Sequence, residues 1–343
     1  MKKAFKALAM ITPTLLLVVA GCGTSGGNQS PSGDSSDSSG TSATNVNYPT
    51  KTITIVVPDQ PGGSMDTSAR ILAQYLPKYL PKPVSVVVQN KPGGNDAIGI
   101  NAVNNARPDG YTLGAFPMPG VLSGPLTGQG NYDLTKFDWL GEQFNQEYVM
   151  VVSKKSGINS LSDIKKKGSI SMAESGPTTS PGIAAIETSK ALGVKLNFVP
   201  DGGSAPSLLA VSQGSVDATI FPYAAEKQEI KSGMVKPIAV LSSHRLSVLP
   251  NTPTVKEEGY PNLVDIQSTR GDIATTPGTP QAVVNILRTS IKKATNDPNY
   301  IAKMKAANLT PVFTDGSSLQ TLVNKEAQAM QSYVPDLKKF TGQ

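Results

Sequence analysis

One cysteine, one histidine and one tryptophan stand in a chain of 343 residues. With Cys22 as the only cysteine, no internal disulfide is possible, and a packed core must hold the fold. With His244 as the only histidine, a Ser–His or metal–His site would rest on one residue. Its neighbours Ser242, Ser243 and Arg245 follow a strand pattern and read as a surface turn. No Gly-x-Ser-x-Gly elbow, Walker A loop or zinc-ligand spacing occurs. Gly128-Gln129-Gly130 lacks the spacing and strand context of a dinucleotide fingerprint, and Asp34 and Asp37 do not fit an EF-hand loop. These absences argue against an enzyme, a hydrolase included. They predict no catalytic residue, no metal and no cofactor. Charged residues make up only 16% of the chain, and no Lys/Arg block stands beside interleaved aromatics. That gives no case for a nucleic-acid partner.

The one long apolar run, 7–20, follows Lys2, Lys3 and Lys6 and is too short to span a bilayer as a helix. The stretch 1–21 reads as a targeting segment. It ends in Val19-Ala20-Gly21-Cys22, small residues before a cysteine, which resembles a bacterial lipobox. That resemblance implies thioether lipidation of Cys22 and cleavage before it, hence an extracytoplasmic protein anchored to the membrane by lipid. The segment 22–47 is Gly, Ser, Thr, Asn and Asp with almost nothing apolar, and reads as a flexible tether. Without the three leader lysines the chain carries 28 basic against 25 acidic residues, a mild excess spread along its length. The remainder is long enough for two cores.

From 48 onward, strand and helix patterns alternate, which predicts an α/β protein with mostly parallel sheets. Strands are expected at 52–57, 84–88 (buried), 111–116, 148–152, 169–173, 195–199, 217–221, 238–241 and 266–275. Long terminal helices are expected at 280–295 and 317–338. An irregular stretch is expected up to Trp139.

The chain is organised around Pro58-Asp59-Gln60-Pro61-Gly62-Gly63-Ser64-Met65-Asp66, a tight strand-to-helix loop. Pro61 stiffens it, and Gly62-Gly63 allow close backbone approach. Ser64 or Asp66 can cap the helix that follows. Exposed N–H groups at a helix N-terminus attract carboxylate or phosphate. Ligands of open α/β sheets bind at the carboxyl ends of the strands, where this loop sits. Similar hydroxyl- and glycine-rich loops follow strands in the second half, at 174–180 and 200–204. Two such halves facing one another would make a cleft suited to a small anion.

The ordered motifs are Tyr48-Pro49 through Asp66, Asn90-Lys91-Pro92-Gly93-Gly94, Arg107-Pro108-Asp109-Gly110-Tyr111-Thr112-Leu113, Val199-Pro200, Gly203-Ser204-Ala205-Pro206, Gly214-Ser215-Val216-Asp217, Leu249-Pro250-Asn251-Thr252-Pro253-Thr254 and Pro277-Gly278-Thr279-Pro280. Together they resemble the substrate-binding proteins of tripartite tricarboxylate transporters, the Bug family, over essentially all of 48–343. The resemblance implies a type II periplasmic-binding-protein fold, a Venus flytrap of two lobes and a ligand cleft. Lobe 1 would be 48–147 with 264–343, and lobe 2 would be 148–263. It further implies a monomer that captures a small organic acid and delivers it to membrane permease subunits. A ligand-sensing partner of a membrane sensor kinase would share the same fold and site.

Carried over from the family, the first lobe offers Gln60, Pro61, Gly62, Gly63, Ser64, Met65 and Asp66, with Met118 and Pro119. The second offers Ser175, Gly176, Thr178, Thr179, Ser180, Gly202, Gly203, Ser204 and Phe221. Asp59-Gln60 stands where the family often has an aromatic residue and a proline. Phe221 stands where an acidic or amide residue is common, and Asp201 where an aromatic or basic one is. Asp59 and Asp201 make the cleft less friendly to anions and favour an aromatic or partly polar ligand over a simple dicarboxylate. Arg270, before Gly271 on the extended segment re-entering the first lobe, is a candidate carboxylate clamp through its planar fork. Pairing of Arg270 with Asp265 or Asp272 is the competing structural role.

Overall fold

Ile53, Ile55 and Val57 turn to one face of the first strand and Val56 to the other, and all four are buried. A strand apolar on both faces belongs inside a sheet covered on both sides. The computed structural model describes residues 46–201, 203–264 and 268–341. The expected leader, Cys22, most of the tether, Gly202 and Asp265 lie outside the described residues.

Among the described residues the strands run in chain order as β1 (Ile53–Val57), β2 (Val86–Asn90), β3 (Thr112–Met118), β4 (Asp138–Ser153), β5 (Ser169–Glu174), β6 (Lys195–Pro200), β7 (Ala218–Pro222), β8 (Val235–Val240) and β9 (Ser268–Thr275). The helices are α1 (Ser64–Tyr75), α2 (Ala97–Asn104), α3 (Ser123–Leu126), α4 (Leu161–Lys167), α5 (Ser180–Leu192), α6 (Ser204–Gln213), α7 (Tyr223–Lys231), α8 (Gln281–Thr295), α9 (Pro298–Ala306), α10 (Gly316–Gln331) and α11 (Val334–Thr341). None of them is long and apolar enough to cross a membrane.

The strand β4 joins two sheets. Its first part, Asp138 to Glu147, pairs with β9 and completes the order β2-β1-β3-β9-β4. Its last part, Tyr148 to Ser153, lies between β7 and β8 in a second sheet that continues to β5 and β6. The chain therefore crosses between two lobes along β4 and returns at the start of β9. Tyr148 Oη and Thr269 Oγ1 lie 2.6 Å apart at that junction. This is the two-lobed α/β arrangement of the type II periplasmic-binding-protein fold.

Each sheet is packed on both faces. In the first, Ile53, Ile55, Leu113 and Phe144 meet α1, α8 and α9, while Val56, Phe116, Trp139 and Ala274 meet α2, α10 and α11. In the second, Tyr148, Met150, Ile170 and Ile220 pack under α4 and α5, and Val149, Val151 and Ala173 under α6. Alternate residues of one strand thus serve opposite layers.

Several local expectations differ from the structure. The sheets are not mostly parallel, because every pairing made by β4 and β9 is antiparallel. The 84–88 segment is not a buried strand but the edge strand β2, with Val87 45% exposed. Strand begins at Asp138, at the end of the irregular stretch, and β4 runs on through 140–147, where no strand was expected: Glu142, Gln143 and Gln146 interrupt the apolar pattern, yet all three are buried. Tertiary partners make that tolerable, since Thr314 Oγ1 donates to Glu142 and Tyr300 Oη to Gln143. The 317–338 helix splits at Ser332 and Tyr333, just ahead of Pro335, whose nitrogen has no hydrogen for the helix ladder. The helices α7 and α9 had no clear apolar periodicity to announce them.

Candidate functional site

The carboxyl ends of β1, β3 and β5 converge on a cavity of about 180 Å³ between the lobes. The first lobe contributes Asp59, Asn95, Asp96, Pro117, Gly120 and Val121. The second contributes Ser175, Thr178, Thr179, Ser180 and Pro181, and Thr269 lines it from the crossing segment.

The first wall is built by two glycine loops tied to each other. Gly62, at φ +93°, places its N–H 2.9 Å from Asp66 Oδ2. The N-cap of α1 is Gly63, with no side-chain cap, so Asp66 orders the loop instead of capping from the expected position. Arg70 Nε donates to Asp66 Oδ2 at 2.9 Å, and its Nη2 donates to Asn90 Oδ1 at 2.9 Å. Asn90 Nδ2 in turn donates to the carbonyl of Asp59 at 3.0 Å. Burial alone would raise the Asp66 carboxyl, but the Arg70 and Gly62 hydrogen bonds outweigh it and hold the group below the usual carboxylate range.

The second glycine loop runs through Gly93, Gly94, Asn95 and Asp96, all with positive φ. Asp96 is the N-cap of α2 but makes no side-chain cap bond, and its carboxylate borders the cavity. Burial, then repulsion from Asp59, pushes the Asp96 carboxyl up to about 7. Burial, then Asp66, raises Asp59 in the same direction. No Lys, Arg or His is among the described residues lining this cavity.

The second wall is the N-terminus of α5. Thr179 Oγ1 accepts from Gly182 N at 3.2 Å and donates to the Gly176 carbonyl at 2.8 Å. Behind it, Glu174 is fully buried, with Oε1 accepting from Ile220 N at 2.8 Å. Glu226, also fully buried, accepts from Phe221 N at 3.1 Å. Burial raises both acids well above the ordinary carboxylate range, and their hydrogen bonds to Ile220 N and Phe221 N fix the strand ends beneath the loops.

The two walls are clasped. Gly120 N donates to Ser180 Oγ at 3.0 Å, Ser123 Oγ to the Thr178 carbonyl at 2.9 Å, and Asn95 Nδ2 to Thr178 Oγ1 at 2.9 Å. A Cβ on Gly120 would collide with Ser180, so only glycine permits this approach.

Of the residues picked out by sequence, Ser175, Thr178, Thr179 and Ser180 line the cavity together. Gln60, Pro61, Gly62, Gly63 and Ser64 are exposed on the first loop, outside its lining. Met65, Met118 and Phe221 are buried in the packed interior, and Asp66 acts on the loop from behind. Pro119 follows a cis peptide bond and leads into the clasp at Gly120. Gly176 shapes the turn before α5; Gly203 and Ser204 open α6 away from the lining. Gly202 lies outside the described residues. Arg270 is 4% exposed, and its fork is taken: Nη1 and Nη2 donate to Glu326 at 2.6 and 2.9 Å, and Nη2 reaches Asp272 at 3.2 Å. It therefore has no free fork to present, and the pairing with Asp272 is the role that this geometry supports. Asn95, Asp96, Gly120 and Thr269 were not singled out. Asn95 and Asp96 follow Gly93-Gly94 in the second glycine loop, the only signal that could have found them.

A larger cavity, about 510 Å³, opens elsewhere, along Gln146, Glu147, Tyr223, Lys227, His244 and Leu309. Of its basic side chains, Lys227 donates to Asn308 at 2.6 Å and Arg245 pairs with Glu257 at 2.9 Å, and His244 lies 3.5 Å from Glu147. It follows the carboxyl ends of β7 and β8, but none of the residues carried over from the family's ligand loops lines it. Among the described residues no group of three or more His, Cys, Asp or Glu side chains could hold a metal ion.

Residues 68–337 match the family described as Tripartite tricarboxylate transporter family receptor. The chain is 28% identical over 297 residues to Protein BugT of Bordetella pertussis, covering 82% of this chain and 87% of BugT. A TctC solute-binding protein from Polaromonas, solved without ligand, superposes with a TM-score of 0.73 at 24% identity, over 85% of this chain and 99% of that one. MatC from Rhodopseudomonas palustris with bound malate superposes with a TM-score of 0.67 at 22% identity, over 84% of this chain and 100% of that one. A second R. palustris protein, solved with adipate, gives 0.67 at 23% identity, over 86% and 99%.

Proposed function

Because the chain belongs to the tripartite tricarboxylate transporter receptor family, we propose that it captures a small organic acid in the inter-lobe cavity and hands it to the membrane subunits of such a transporter. The observation carrying this reading is the clasped cavity at the strand ends, lined by Ser175, Thr178, Thr179 and Ser180 at the N-terminus of α5. Hydroxyls and helix N–H groups suit a carboxylate. The malate and adipate held by the two R. palustris proteins set the ligand size to try first. The role is capture without catalysis.

The division we propose is 48–147 with 264–343 as one lobe and 148–263 as the other, hinged at the Glu147–Tyr148 step of β4 and at the start of β9. A thermal-shift screen of organic acids, amino acids included, tests the binding role. A ligand selective for the folded state raises its apparent stability by mass action, about 2.7 kcal/mol at a hundredfold excess over Kd. Silence across the entire screen overturns the reading.

Anchoring by lipid on Cys22 in an extracytoplasmic, membrane-attached protein completes the proposal, supported by the Val19-Ala20-Gly21-Cys22 sequence. Wild-type protein is expected to fractionate with membranes, and Cys22→Ser to be released or to keep its leader. Wild-type protein found soluble, with no mass added at Cys22, overturns it.

A further inference from the structure

The first-lobe wall of the cavity carries two carboxylates that the protein leaves without a partner. Asp96 stands at a helix N-terminus, where an aspartate ordinarily accepts a backbone N–H, and makes no such bond. The side chain of Asp59 makes no hydrogen bond or ion pair among the described residues, although its carbonyl is held by Asn90. The nearest arginine of the loop network, Arg70, is spent on Asp66 and Asn90. Burial works against both charges, with repulsion from Asp66 on Asp59 and from Asp59 on Asp96. The opposite wall has the reverse character: hydroxyls at the start of a 13-residue helix, which favour an anion.

A symmetric dicarboxylate would place one of its charges against Asp59 and Asp96, with no cation on that wall to offset it. A ligand with a carboxylate at one end and an ammonium near the other would meet complementary groups on both walls.

Resting on the receptor reading above, we propose that Asp59 and Asp96 make this cleft selective for a zwitterionic organic acid, one that carries a cationic nitrogen as well as its carboxylate. The carboxylate faces Thr178 to Ser180 and the ammonium faces the acid pair. One ligand then bridges the two lobes, so the pair that selects it also rewards closure.

The test uses compounds matched in carbon skeleton: aspartate against succinate, and glutamate against glutarate, titrated by calorimetry at pH 8, above the value of about 7 to which Asp96 is pushed, into the purified protein and into Asp96→Asn and Asp59→Asn. In wild type the amino member of at least one pair is expected to bind tenfold tighter or more, which corresponds to about 1.4 kcal/mol. In Asp96→Asn that preference is expected to shrink to about twofold, mainly by weakening the amino ligand. Asp59→Asn is expected to act in the same direction.

Equal affinity within each pair, or a preference untouched by both substitutions, overturns the inference. So does loss of binding on adding EDTA, which would mean that a metal ion bridges acid pair and ligand. A protein that responds in the wider screen only to acids lacking a cationic nitrogen overturns this inference and leaves the receptor reading standing. Silence across the whole screen overturns both.

Discussion

Arg270→Ala is expected to destabilise the fold by about 3–5 kcal/mol, the cost of stripping buried carboxylates of their cation. Arg270 in β9 holds Glu326 in α10 through two short hydrogen bonds and Asp272 through a third. All three side chains are buried. Burial, with repulsion from Glu142 and Glu326, raises the Asp272 carboxyl, and Arg270 offsets only part of that. Removing the guanidinium leaves Glu326 buried and unpaired between the sheet and the C-terminal helix. Arg270→Lys keeps a charge but loses the two-pronged grip, so a smaller loss is expected. Combining Arg270→Met with Glu326→Met should recover much of the stability, because removing a buried pair together costs far less than orphaning one member. Denaturant melts of the four proteins check this. A single-mutant loss below about 1 kcal/mol would put the pair in solvent, against the geometry.

A fall in stability as pH rises is the second large effect. Burial first, with Lys190 opposing it, pushes Glu187 up to about 7, and Asp96 reaches about the same value. Burial raises Glu174 and Glu226 in the same direction. An unfolded carboxyl gives up its proton near pH 4, as a rough reference value. Between that point and the folded value, the native state holds the proton and the unfolded chain does not. The native state then binds more protons, so stability declines across the window, by at most about 1.4 kcal/mol per pH unit for each group. For Asp96 and Glu187 the decline ends near pH 7, where the folded groups ionise in turn. Asp66 and Asp217 are held below the usual range, so their contribution is lost only in stronger acid and does not offset this slope. A drop in Tm of roughly 5–10 °C between pH 5.5 and 8 is expected, a few kcal/mol for a chain of this size. Glu187→Gln should flatten part of it. An equal or higher Tm at pH 8 would show that these carboxyls are already ionised in the native state.

Much of the molecule was legible in the chain. Ile53, Ile55 and Val57 alternate cleanly, and glycine-rich turns such as Gly62-Gly63 follow strands, because both are local consequences of sheet pleat and backbone freedom. Ser160 caps α4, with the hydroxyl accepting from Asp163 N at 3.2 Å, and a serine three residues ahead of an acid is a local signal of that kind. The hydroxyls of 175–180 were visible as a loop between a strand and a helix.

Other features depend on partners far away in sequence. Most of the first part of β4 carried no strand expectation, because Glu142 and Gln143 are made acceptable there only by Thr314 and Tyr300. The position of β2 at the sheet edge, and not in its centre, is a matter of strand order, which no local pattern encodes. Arg270 read as a candidate fork beside the cleft, with pairing to Asp265 or Asp272 as the competing role. Its real neighbour, Glu326, lies 56 residues on, brought to it by the packing of α10 against the sheet. Asp96 lies in a glycine loop with nothing local to mark it, and only the meeting of the lobes puts it in a cavity with Asp59 and the α5 N-terminus. The sequence alone determined the alternation, the loops and the family resemblance, since these rest on short-range periodicity and ordered motifs. Which charges are paired, and which are left facing the ligand space, was decided by tertiary structure, because the energy of a charge depends on what surrounds it in three dimensions.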